Sequence, residues 1–290
     1  MRILLTGKNG QVGYELERSL QGLGEVIALD RSQMDLSDLR QVRDVIRSVQ
    51  PKLIVNPAAY TAVDKAESES ELAMRINGDA PGVMAEEAKK IGAAMIHYST
   101  DYVFDGNKTS PYTEEDVPNP INTYGRTKLA GEEAIRAAGI PHLIFRTSWV
   151  YGIRGRNFLL TVLRLANERD ELRIVADQFG APTWARTIAD TTAHIVSQAR
   201  AAEDVQQWWV RHGGLYHMTA QGSTSWHGFT EAILSHPGIK KKPVVTPIGT
   251  EDYPLPAPRP RNSVLSCDKL KQHFCDLPRW ETALALCQGV

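Results

Sequence analysis

Short apolar runs alternate with stretches of helical spacing through the first half of the chain. The apolar runs lie at residues 2–6, 25–29, 52–56, 94–99 and 142–146. Between them, apolar residues recur every three or four positions over residues 12–23, 42–49, 68–91 and about 123–138. Gly78, Pro81 and Gly82 predict a break inside the third of these helical stretches. Strands separated by helices predict βαβ units, which form a parallel sheet with right-handed crossovers.

The pattern changes beyond about residue 150. Helical spacing is clear over residues 158–168 and 187–201, and proline and glycine become frequent between residues 237 and 260. We therefore predict an α/β fold with two parts. Residues 1–150 would form a doubly wound parallel sheet with helices on both faces, and residues 151–290 a smaller α/β lobe. Segments are expected to cross between the lobes, with a substrate bound in the cleft between them.

Composition and charge exclude several classes of protein. Apolar residues make up 42% of the 290 residues and charged residues 23%, which is ordinary globular usage. The net charge is −1, and the lysine run at residues 240–242 is too short to indicate a nucleic-acid partner. No apolar run approaches the roughly 18 residues of a membrane span, and residues 3–5 are too short for a secretory signal. Cys267, Cys275 and Cys287 lack the spacing of a disulfide framework or metal site. We expect a cytoplasmic protein that binds neither nucleic acid nor membrane.

A glycine-rich loop follows the first predicted strand. Gly7, Gly10 and Gly13 have the spacing GxxGxxG, one residue longer than the commoner GxGxxG. The first glycine would permit a tight turn, the second close approach to a pyrophosphate, and the third close packing of helix on strand. Gln11 and Val12 open the helix whose N-terminal N–H groups would bind that anion. A loop of this kind between a strand and a helix predicts a Rossmann-type dinucleotide site.

Residues after the second and third strands would complete this site. Asp30 ends the second strand and is the acid expected about 20 residues further on to bind a ribose. Arg31 would neutralise a 2′-phosphate, which leaves both NADPH and NADH open, or it is a plain surface arginine. Placement alone adds the further cofactor candidates Asp35, Leu36, Ala59, Tyr60 and Thr61.

Tyr124 and Lys128 form a YxxxK pair on a predicted helix. At this spacing the side chains share one helix face, where a lysine cation would lower the pKa of the phenol and make it a proton donor. Thr100 ends the fourth strand, where its hydroxyl would hydrogen-bond a carbonyl oxygen in the same crevice. A surface Tyr–Lys pair and a helix-capping threonine are the structural alternatives. The glycine loop, Thr100 and the YxxxK pair in this order indicate an active site.

Six longer motifs carry a resemblance to a known family. They are TAVDKAE at residues 61–67, HYSTDYVFDG at 97–106, YGRTKLAGE at 124–132, FRTSWVYG at 145–152, DQFGAPT at 177–183 and RPRNS at 259–263. Through them the chain resembles the extended short-chain dehydrogenases/reductases and, within that superfamily, the dTDP-4-dehydrorhamnose reductases. The resemblance runs from the glycine loop to about residue 280.

The resemblance implies reduction of the C4 keto group of dTDP-4-dehydro-L-rhamnose to dTDP-L-rhamnose, the last step of dTDP-rhamnose biosynthesis, with NADPH or NADH as cofactor. Tyr124 would protonate the oxygen, Lys128 would hold the nicotinamide ribose, and Thr100 would orient the carbonyl. Thr100 and Asp101 would also contact the dTDP-sugar, as would Trp149 and Arg259. A core tryptophan and a loop ion pair are the alternatives for the last two.

One departure concerns metal. Some members of the resembled family form dimers bridged by Mg²⁺ and glutamates. Glu15 is present, but Arg186 occupies a position where such members carry a glutamate. We therefore predict no metal site, and a monomer or a homodimer.

Three other functions compete with the reductase. A 4,6-dehydratase needs a carboxylate where Tyr102 stands, so it is disfavoured. Another nucleotide-sugar 4-epimerase or reductase is disfavoured only by the motifs TAVDKAE, SWVYG and DQFGAPT, which point to the reductase subfamily. A non-catalytic regulatory subunit, like that of methionine adenosyltransferase, is opposed by residues 61–67 and by the intact Thr100, Tyr124 and Lys128.

Overall fold

The computed structural model describes residues 1–289 and confirms the α/β fold. The strands are β1 (Arg2–Leu5), β2 (Glu25–Ala28), β3 (Leu53–Asn56), β4 (Ala94–Thr100), β5 (His142–Thr147), β6 (Val150–Tyr151), β7 (Glu171–Val175), β8 (Phe179–Gly180), β9 (Thr183–Trp184), β10 (Gly214–His217), β11 (Thr224–Ser225) and β12 (Val244–Ile248). The helices are α1 (Gln11–Ser19), α2 (Leu39–Val49), α3 (Val63–Ala66), α4 (Ser70–Met74), α5 (Ala80–Ile91), α6 (Thr123–Ala138), α7 (Phe158–Glu168), α8 (Ala185–Ala201), α9 (Val205–His212), α10 (Trp226–Ser235), α11 (Asp268–His273) and α12 (Trp280–Gln288).

A six-stranded parallel sheet forms the centre of the molecule, in the order β10-β5-β4-β3-β1-β2. From β1 the chain continues to β2 on one side of the sheet and later to β3, β4 and β5 on the other side. The loops after β1 and β3 therefore open into the crevice where ligands bind to doubly wound sheets. The sixth strand, β10, comes from the region beyond residue 150, and α8 from the same region packs against α1. The first and second parts of the sequence therefore share one sheet and its helical layer.

Alternating side chains of the strands fill two core layers. Ile3 and Leu5 face the layer that contains α1 and α8, whereas Leu4 faces the layer that contains α2, α5 and α6. Each fully buried aliphatic side chain of this kind contributes about 1.5–3 kcal/mol. A separate core beside the sheet joins α7, α10 and α12 through residues such as Leu159 and Phe229. Among residues 1–289, no helix is long and apolar enough to cross a membrane.

The helical stretch over residues 68–91 differs from its prediction. It is not broken at its glycines and proline, because a π-helical turn at Arg75–Asp79 joins α4 directly to α5. Pro81 follows this turn, in which the N–H of Ala80 donates to the carbonyl oxygen of Arg75 five residues earlier. Gly78 serves close packing, since a Cβ there would lie 3.4 Å from the Cβ of Ala130 on α6 and 2.6 Å from the sulfur of Met74.

A buried ion pair fastens α6 to β5. Arg146 donates from Nη2 to Oε2 of Glu132 over 2.7 Å and from Nε to Oε1 over 2.9 Å, and the two side chains are 1% and 0% exposed. The hydroxyl of Ser99 on β4 also donates to Glu132. Because both charges are withdrawn from water, removing one would leave the other uncompensated.

We predict that Glu132→Ala lowers the free energy of unfolding by about 3–5 kcal/mol, because Arg146 then stays buried without its partner. The matched control is Glu168→Ala, which removes the exposed pair between Arg164 and Glu168 on α7. That loss should stay below about 1 kcal/mol, because solvent screens the exposed pair. Urea unfolding of both variants measures the difference, and equal losses would contradict this account of the buried pair.

Candidate active site

The glycine loop has the geometry of an anion cradle. Gly7 has a positive φ of +60°, which favours glycine, and its carbonyl accepts from the N–H of Gly10 over 2.9 Å. A Cβ on Gly13 would lie 2.1 Å from the carbonyl oxygen of Gly7, so this position tolerates no side chain. Gly10 caps α1 without a side-chain hydrogen bond, so no capping side chain occupies the N-terminal N–H groups of α1. These features fit a pyrophosphate at the start of α1.

The side chain of Gln11, the first residue of α1, contacts β6 and the residue that precedes α7. Its Oε1 accepts from Nδ2 of Asn157 over 2.8 Å, and its Nε2 lies 3.4 Å from the carbonyl oxygen of Val150. Val12 packs against the core on the α1 face of the sheet. Both side chains therefore hold α1 in place, and only their backbone N–H groups remain candidates for an anion.

A cavity of about 420 Å³ opens beside this loop. The predicted cofactor residues along its wall are Gly7, Arg31, Asp35, Leu36, Ala59, Tyr60 and Thr61. Lys65, Glu69 and Ile76 also line it; Lys65 lies within the motif at residues 61–67 but was not predicted as a site residue, and Glu69 and Ile76 lie outside every motif. Glu69 accepts from the hydroxyl of Tyr60 over 2.6 Å, and burial raises the pKa of that phenol to about 12. The structure thus brings the residues after β1, β2 and β3 together around one space.

Asp30 and Arg31 have different partners, and of the two only Arg31 lines the cavity. Oδ1 of Asp30 accepts from the N–H and hydroxyl of Ser32 over 3.0 and 2.6 Å, which lowers the pKa of the carboxyl. Lys8 Nζ approaches Oδ2 of Asp30 at 3.7 Å. Arg31 is 74% exposed in its side chain and pairs with Asp35 over 3.1 Å. A guanidinium this exposed is weakly held and is free to meet another anion.

Helix α6 carries Tyr124 and Lys128, and the contacts at its N-terminus fix their position. Asn122 caps its N-terminus by accepting from the N–H of Gly125 over 2.8 Å, and Glu67 accepts from the N–H of Thr123 over 2.7 Å. A Cβ on Gly125 would lie 2.0 Å from the carbonyl oxygen of Tyr102, so glycine lets α6 approach the segment after β4. Tyr124 therefore lies beside Tyr102, edge to face, with ring centroids 5.9 Å apart.

The electrostatics of Tyr124 and Lys128 are dominated by burial. Lys128 is 2% exposed, and burial lowers its pKa to about 8 while Glu132 opposes that shift. Burial raises the pKa of Tyr124 to about 12; the Thr100 hydroxyl lowers this pKa and the Asp101 carboxylate raises it. The predicted lowering of the pKa of Tyr124 by Lys128 is wrong for the protein alone. The ammonium instead donates to the carbonyl oxygen of Tyr98 over 2.6 Å.

Thr100 and Asp101 lie together at the end of β4. The Thr100 hydroxyl donates to Oδ1 of Asp101 over 3.0 Å and accepts from the N–H of Tyr102 over 3.2 Å. Asp101 is 3% exposed, and burial raises its pKa to about 7. Its Oδ2 is buried and accepts no hydrogen bond of normal length among residues 1–289, although the Ser263 hydroxyl is near enough to oppose the rise in the pKa. A buried oxygen of this kind keeps capacity for a ligand.

The two remaining substrate candidates have protein partners. Trp149 has a positive φ of 47° and stacks on Trp226 with ring centroids 3.5 Å apart. A Cβ on Gly180 would lie 2.5 Å from the Trp149 ring, so this glycine makes room for it. Arg259 donates to Oδ2 of Asp64 over 2.9 Å and to the carbonyl oxygen of Ala257 over 2.7 Å. The loop ion pair is therefore present, and a phosphate contact by Arg259 stays a prediction.

Asn77 was not found by sequence reasoning, although it joins the cofactor wall to α6. Its Oδ1 accepts from the N–H of Tyr60 over 2.8 Å, and its Nδ2 donates to the carbonyl oxygen of Tyr60 over 3.0 Å and to the Thr127 hydroxyl over 3.1 Å. It lies in the π-helical turn, outside any motif with a local signature. Among residues 1–289, no group of three His, Cys, Asp or Glu side chains could hold a metal ion. Arg186 pairs with Asp190 over 3.5 Å.

Comparison with known proteins agrees with this geometry. The family model described as the RmlD substrate binding domain matches residues 1–288. A dTDP-4-dehydrorhamnose reductase of Burkholderia thailandensis is 51% identical over 294 residues, covering 99% of this chain and 98% of the relative. A dTDP-4-dehydrorhamnose reductase of Escherichia coli K12 is 46% identical, covering 98% of this chain and 96% of the relative.

Solved structures give the same result. The dTDP-4-dehydrorhamnose reductase of Bacillus anthracis in complex with NADP has a TM-score of 0.90 and 34% identity, covering 99% of this chain and 98% of that chain. The UDP-glucose 4-epimerase of Thermus thermophilus in complex with NAD has a TM-score of 0.78 at 20% identity over the whole of both chains, which shows the shared fold alone. The resemblance found in the sequence is confirmed, and the chain belongs to the RmlD substrate binding domain family.

Proposed function

We propose that this protein reduces the C4 keto group of dTDP-4-dehydro-L-rhamnose to dTDP-L-rhamnose with NADPH or NADH, as the last step of dTDP-rhamnose biosynthesis. The observation that carries the proposal is the convergence of the glycine loop, Thr100 and the Tyr124–Lys128 pair at one edge of the sheet. It is supported by relatives of that name that match along nearly the whole chain.

The residues around the cavity fit a dinucleotide. The backbone N–H groups of Gln11 and Val12 would bind the pyrophosphate, Gly10 would let it approach the backbone, and Gly13 keeps α1 close to the loop. Asp30 would accept from an adenosine ribose hydroxyl, and Arg31 would pair with a 2′-phosphate when one is present. Asp35, Leu36, Ala59, Tyr60 and Thr61 would line the adenosine half. When bound, the dihydronicotinamide supplies a hydride to the C4 carbon of the sugar.

Tyr124 would protonate the oxygen of the C4 keto group. A pKa of about 12 keeps the phenol protonated at neutral pH, and a developing alkoxide is a strong enough base to take its proton. Thr100 would hold the carbonyl oxygen by a hydrogen bond. Lys128 would hold the nicotinamide ribose, and its ammonium would stabilise the phenolate that Tyr124 becomes. The hydride and the proton together complete the reduction, and Tyr124 recovers its proton afterwards.

The sugar nucleotide would bind on the side of the lobe built from residues 151–290. Asp101 offers its unpaired Oδ2, Trp149 offers an aromatic face supported by Trp226, and Arg259 is the candidate for a phosphate oxygen. Residues 1–150 would hold the dinucleotide. We infer a cytoplasmic reaction by a monomer or homodimer, with the dTDP-sugar as the partner and without a metal.

The test is oxidation of NADPH and of NADH by dTDP-4-keto-6-deoxyglucose, with and without a 3,5-epimerase that supplies the epimerised sugar. We expect oxidation only when the epimerase is present. Binding of cofactor without oxidation in either case would favour the non-catalytic regulatory subunit, and interconversion of sugars without net oxidation would favour an epimerase.

Tyr124→Phe should lower kcat by about 10²–10⁴, the contribution of a positioned proton donor, while the Kd for NADPH stays unchanged. Tyr253→Phe is the control, because that side chain is 56% exposed and lies in a different part of the chain. Stopped-flow turnover and calorimetric NADPH binding give the two quantities. An unchanged kcat would remove Tyr124 as the proton donor.

Arg31→Ala should raise the KM for NADPH about tenfold and leave that for NADH nearly unchanged, because only NADPH carries a phosphate for this guanidinium. Arg40→Ala, an exposed arginine on α2, is the control for loss of positive charge. Steady-state kinetics with both cofactors measure the ratio. Equal effects on the KM for NADPH and for NADH would show that Arg31 does not bind the 2′-phosphate and is a plain surface arginine.

A further inference from the structure

A line of buried polar side chains leads from the catalytic lysine to the glycine loop. Thr6 at the end of β1, Asn56 on β3, His97 on β4 and Lys128 on α6 are 2%, 0%, 0% and 2% exposed. The Thr6 hydroxyl lies 2.6 Å from Oδ1 of Asn56, Nδ2 of Asn56 lies 3.1 Å from Nδ1 of His97, and Nε2 of His97 lies 3.3 Å from Nζ of Lys128. The register places Asn56 directly opposite His97, so the sheet itself sets this contact.

Each of these three contacts is a hydrogen bond with one proton between its two atoms. The donor in one contact therefore determines the donor in the next. Here the Thr6 hydroxyl donates to Asn56, and the Asn56 amide donates to Nδ1 of His97. A neutral imidazole that accepts at Nδ1 carries its proton on Nε2, the atom that faces Lys128. An ammonium has donors and no acceptor, so Nε2–H is satisfied only when Lys128 is a neutral amine that accepts from it.

A second arrangement satisfies His97 and Lys128 when Lys128 is charged, and it releases the Thr6 hydroxyl proton from Asn56. Rotating the Asn56 amide turns Oδ1 toward His97 and Nδ2 toward the Thr6 hydroxyl oxygen. His97 then carries its proton on Nδ1 and donates to Asn56, and its Nε2 accepts from the ammonium. The Thr6 oxygen already accepts from the N–H of Ala58 over 3.3 Å and has a second lone pair for Asn56.

The charged groups around the line keep His97 neutral in both arrangements. Burial and the charge of Lys128 hold the pKa of His97 well below its ordinary value. On its other sides His97 faces neutral residues, Asn56 on β3 and Ile144 on β5. Lys128 faces Glu132 on its own helix, and the charge of Glu132 is neutralised by Arg146 from β5. The proton that changes the state of the line is therefore that of Lys128.

We propose that His97 is the positioning residue of Lys128, and that the line Thr6–Asn56–His97 reverses its hydrogen-bond direction when Lys128 gains or loses a proton. The inference rests on the proposed catalytic role of Lys128. Through Thr6, which precedes Gly7, the protonation of the lysine is coupled to the loop that would hold the pyrophosphate. By linkage, a ligand that favours one arrangement at the loop shifts the proton affinity of Lys128 by the same amount.

Nitrogen-15 NMR of histidine-labelled protein without cofactor tests this directly. The resonances of His97 are identified by their loss in His97→Gln. Because the pKa of Lys128 is about 8, we expect His97 to carry its proton on Nδ1 below about pH 8 and on Nε2 above it, without forming an imidazolium. One unchanged tautomer, or an ordinary imidazolium titration, would overturn the proposal. Since no turnover is measured, either outcome leaves the proposed reductase activity to its own test.

His142 is the internal control in the same spectra. It is half-buried on β5, and its Nδ1 lies 2.8 Å from the carbonyl oxygen of Ile140, an acceptor that cannot reverse. Its neutral form should keep the proton on Nδ1 across the whole range. A change of tautomer in both histidines would point to a general effect of pH and count against a switch specific to His97.

Kinetic variants separate positioning from folding. His97→Phe removes the acceptor that stabilises the ammonium, so the pKa of Lys128 should fall. The decrease of kcat/KM at basic pH, its basic limb, should then move about one pH unit lower, and the KM for NADPH should rise. His97→Gln supplies an amide oxygen in a similar place and should keep the limb near that of the parent protein. Melting temperatures identify a variant that fails to fold. A folded His97→Phe with an unchanged limb would contradict the proposal.

Discussion

The burial of a polar stripe along α6 is the constraint on which the site depends. Tyr124, Lys128 and Glu132 recur at intervals of four residues, so they lie on one face, and that face is pressed against β4 and β5. Lys128 and Glu132 are almost fully buried, so each carries a desolvation cost that only specific partners offset. Their partners are the carbonyl oxygen of Tyr98 for the lysine and Arg146 for the glutamate. Moving α6 by a small distance would break both contacts, and the phenol of Tyr124 therefore has a fixed position.

Small side chains and a π-helical turn make this close approach possible. Gly125 and Gly131 on α6 lie where a Cβ would come within 2.0 Å of the Tyr102 carbonyl oxygen and 2.2 Å of the Asn77 carbonyl oxygen. The π-helical turn holds Asn77 between Tyr60 and Thr127, so it joins the cofactor wall to the catalytic helix. Glu67 caps the start of that helix, and neighbouring Asp64 pairs with Arg259 from the C-terminal region. The motif at residues 61–67 thus supports α6 and also contacts Arg259 in the C-terminal region.

Local signals in the sequence predicted the elements of the sheet and the order of the site. The bounds of α6 and α7 agree with their apolar spacing, and the glycine loop shows the close contacts expected of Gly7 and Gly13. What depends on distant contacts was not predictable in this way. The π-helical turn before Pro81 and the helix after it both pack against α6, and the contact between Asn56 and His97 depends on the register of β3 and β4. Arg259 finds Asp64 across 195 residues of sequence, a distance over which no spacing rule applies.

The charge state of the site follows from burial and suits a reaction that creates an anion. Burial raises the pKa of Tyr124 to about 12 and that of Asp101 to about 7, and it lowers the pKa of Lys128 to about 8. The phenol is therefore a neutral donor near pH 7, Lys128 is a cation on the same helix face, and the charge of the neighbouring Glu132 is paired with Arg146. Negative charge that develops on a substrate oxygen is then stabilised by Lys128 and the Thr100 hydroxyl in a medium that screens weakly. A site with the opposite arrangement, an ionised Tyr124 and a neutral Lys128, would repel that charge and would have no proton to donate.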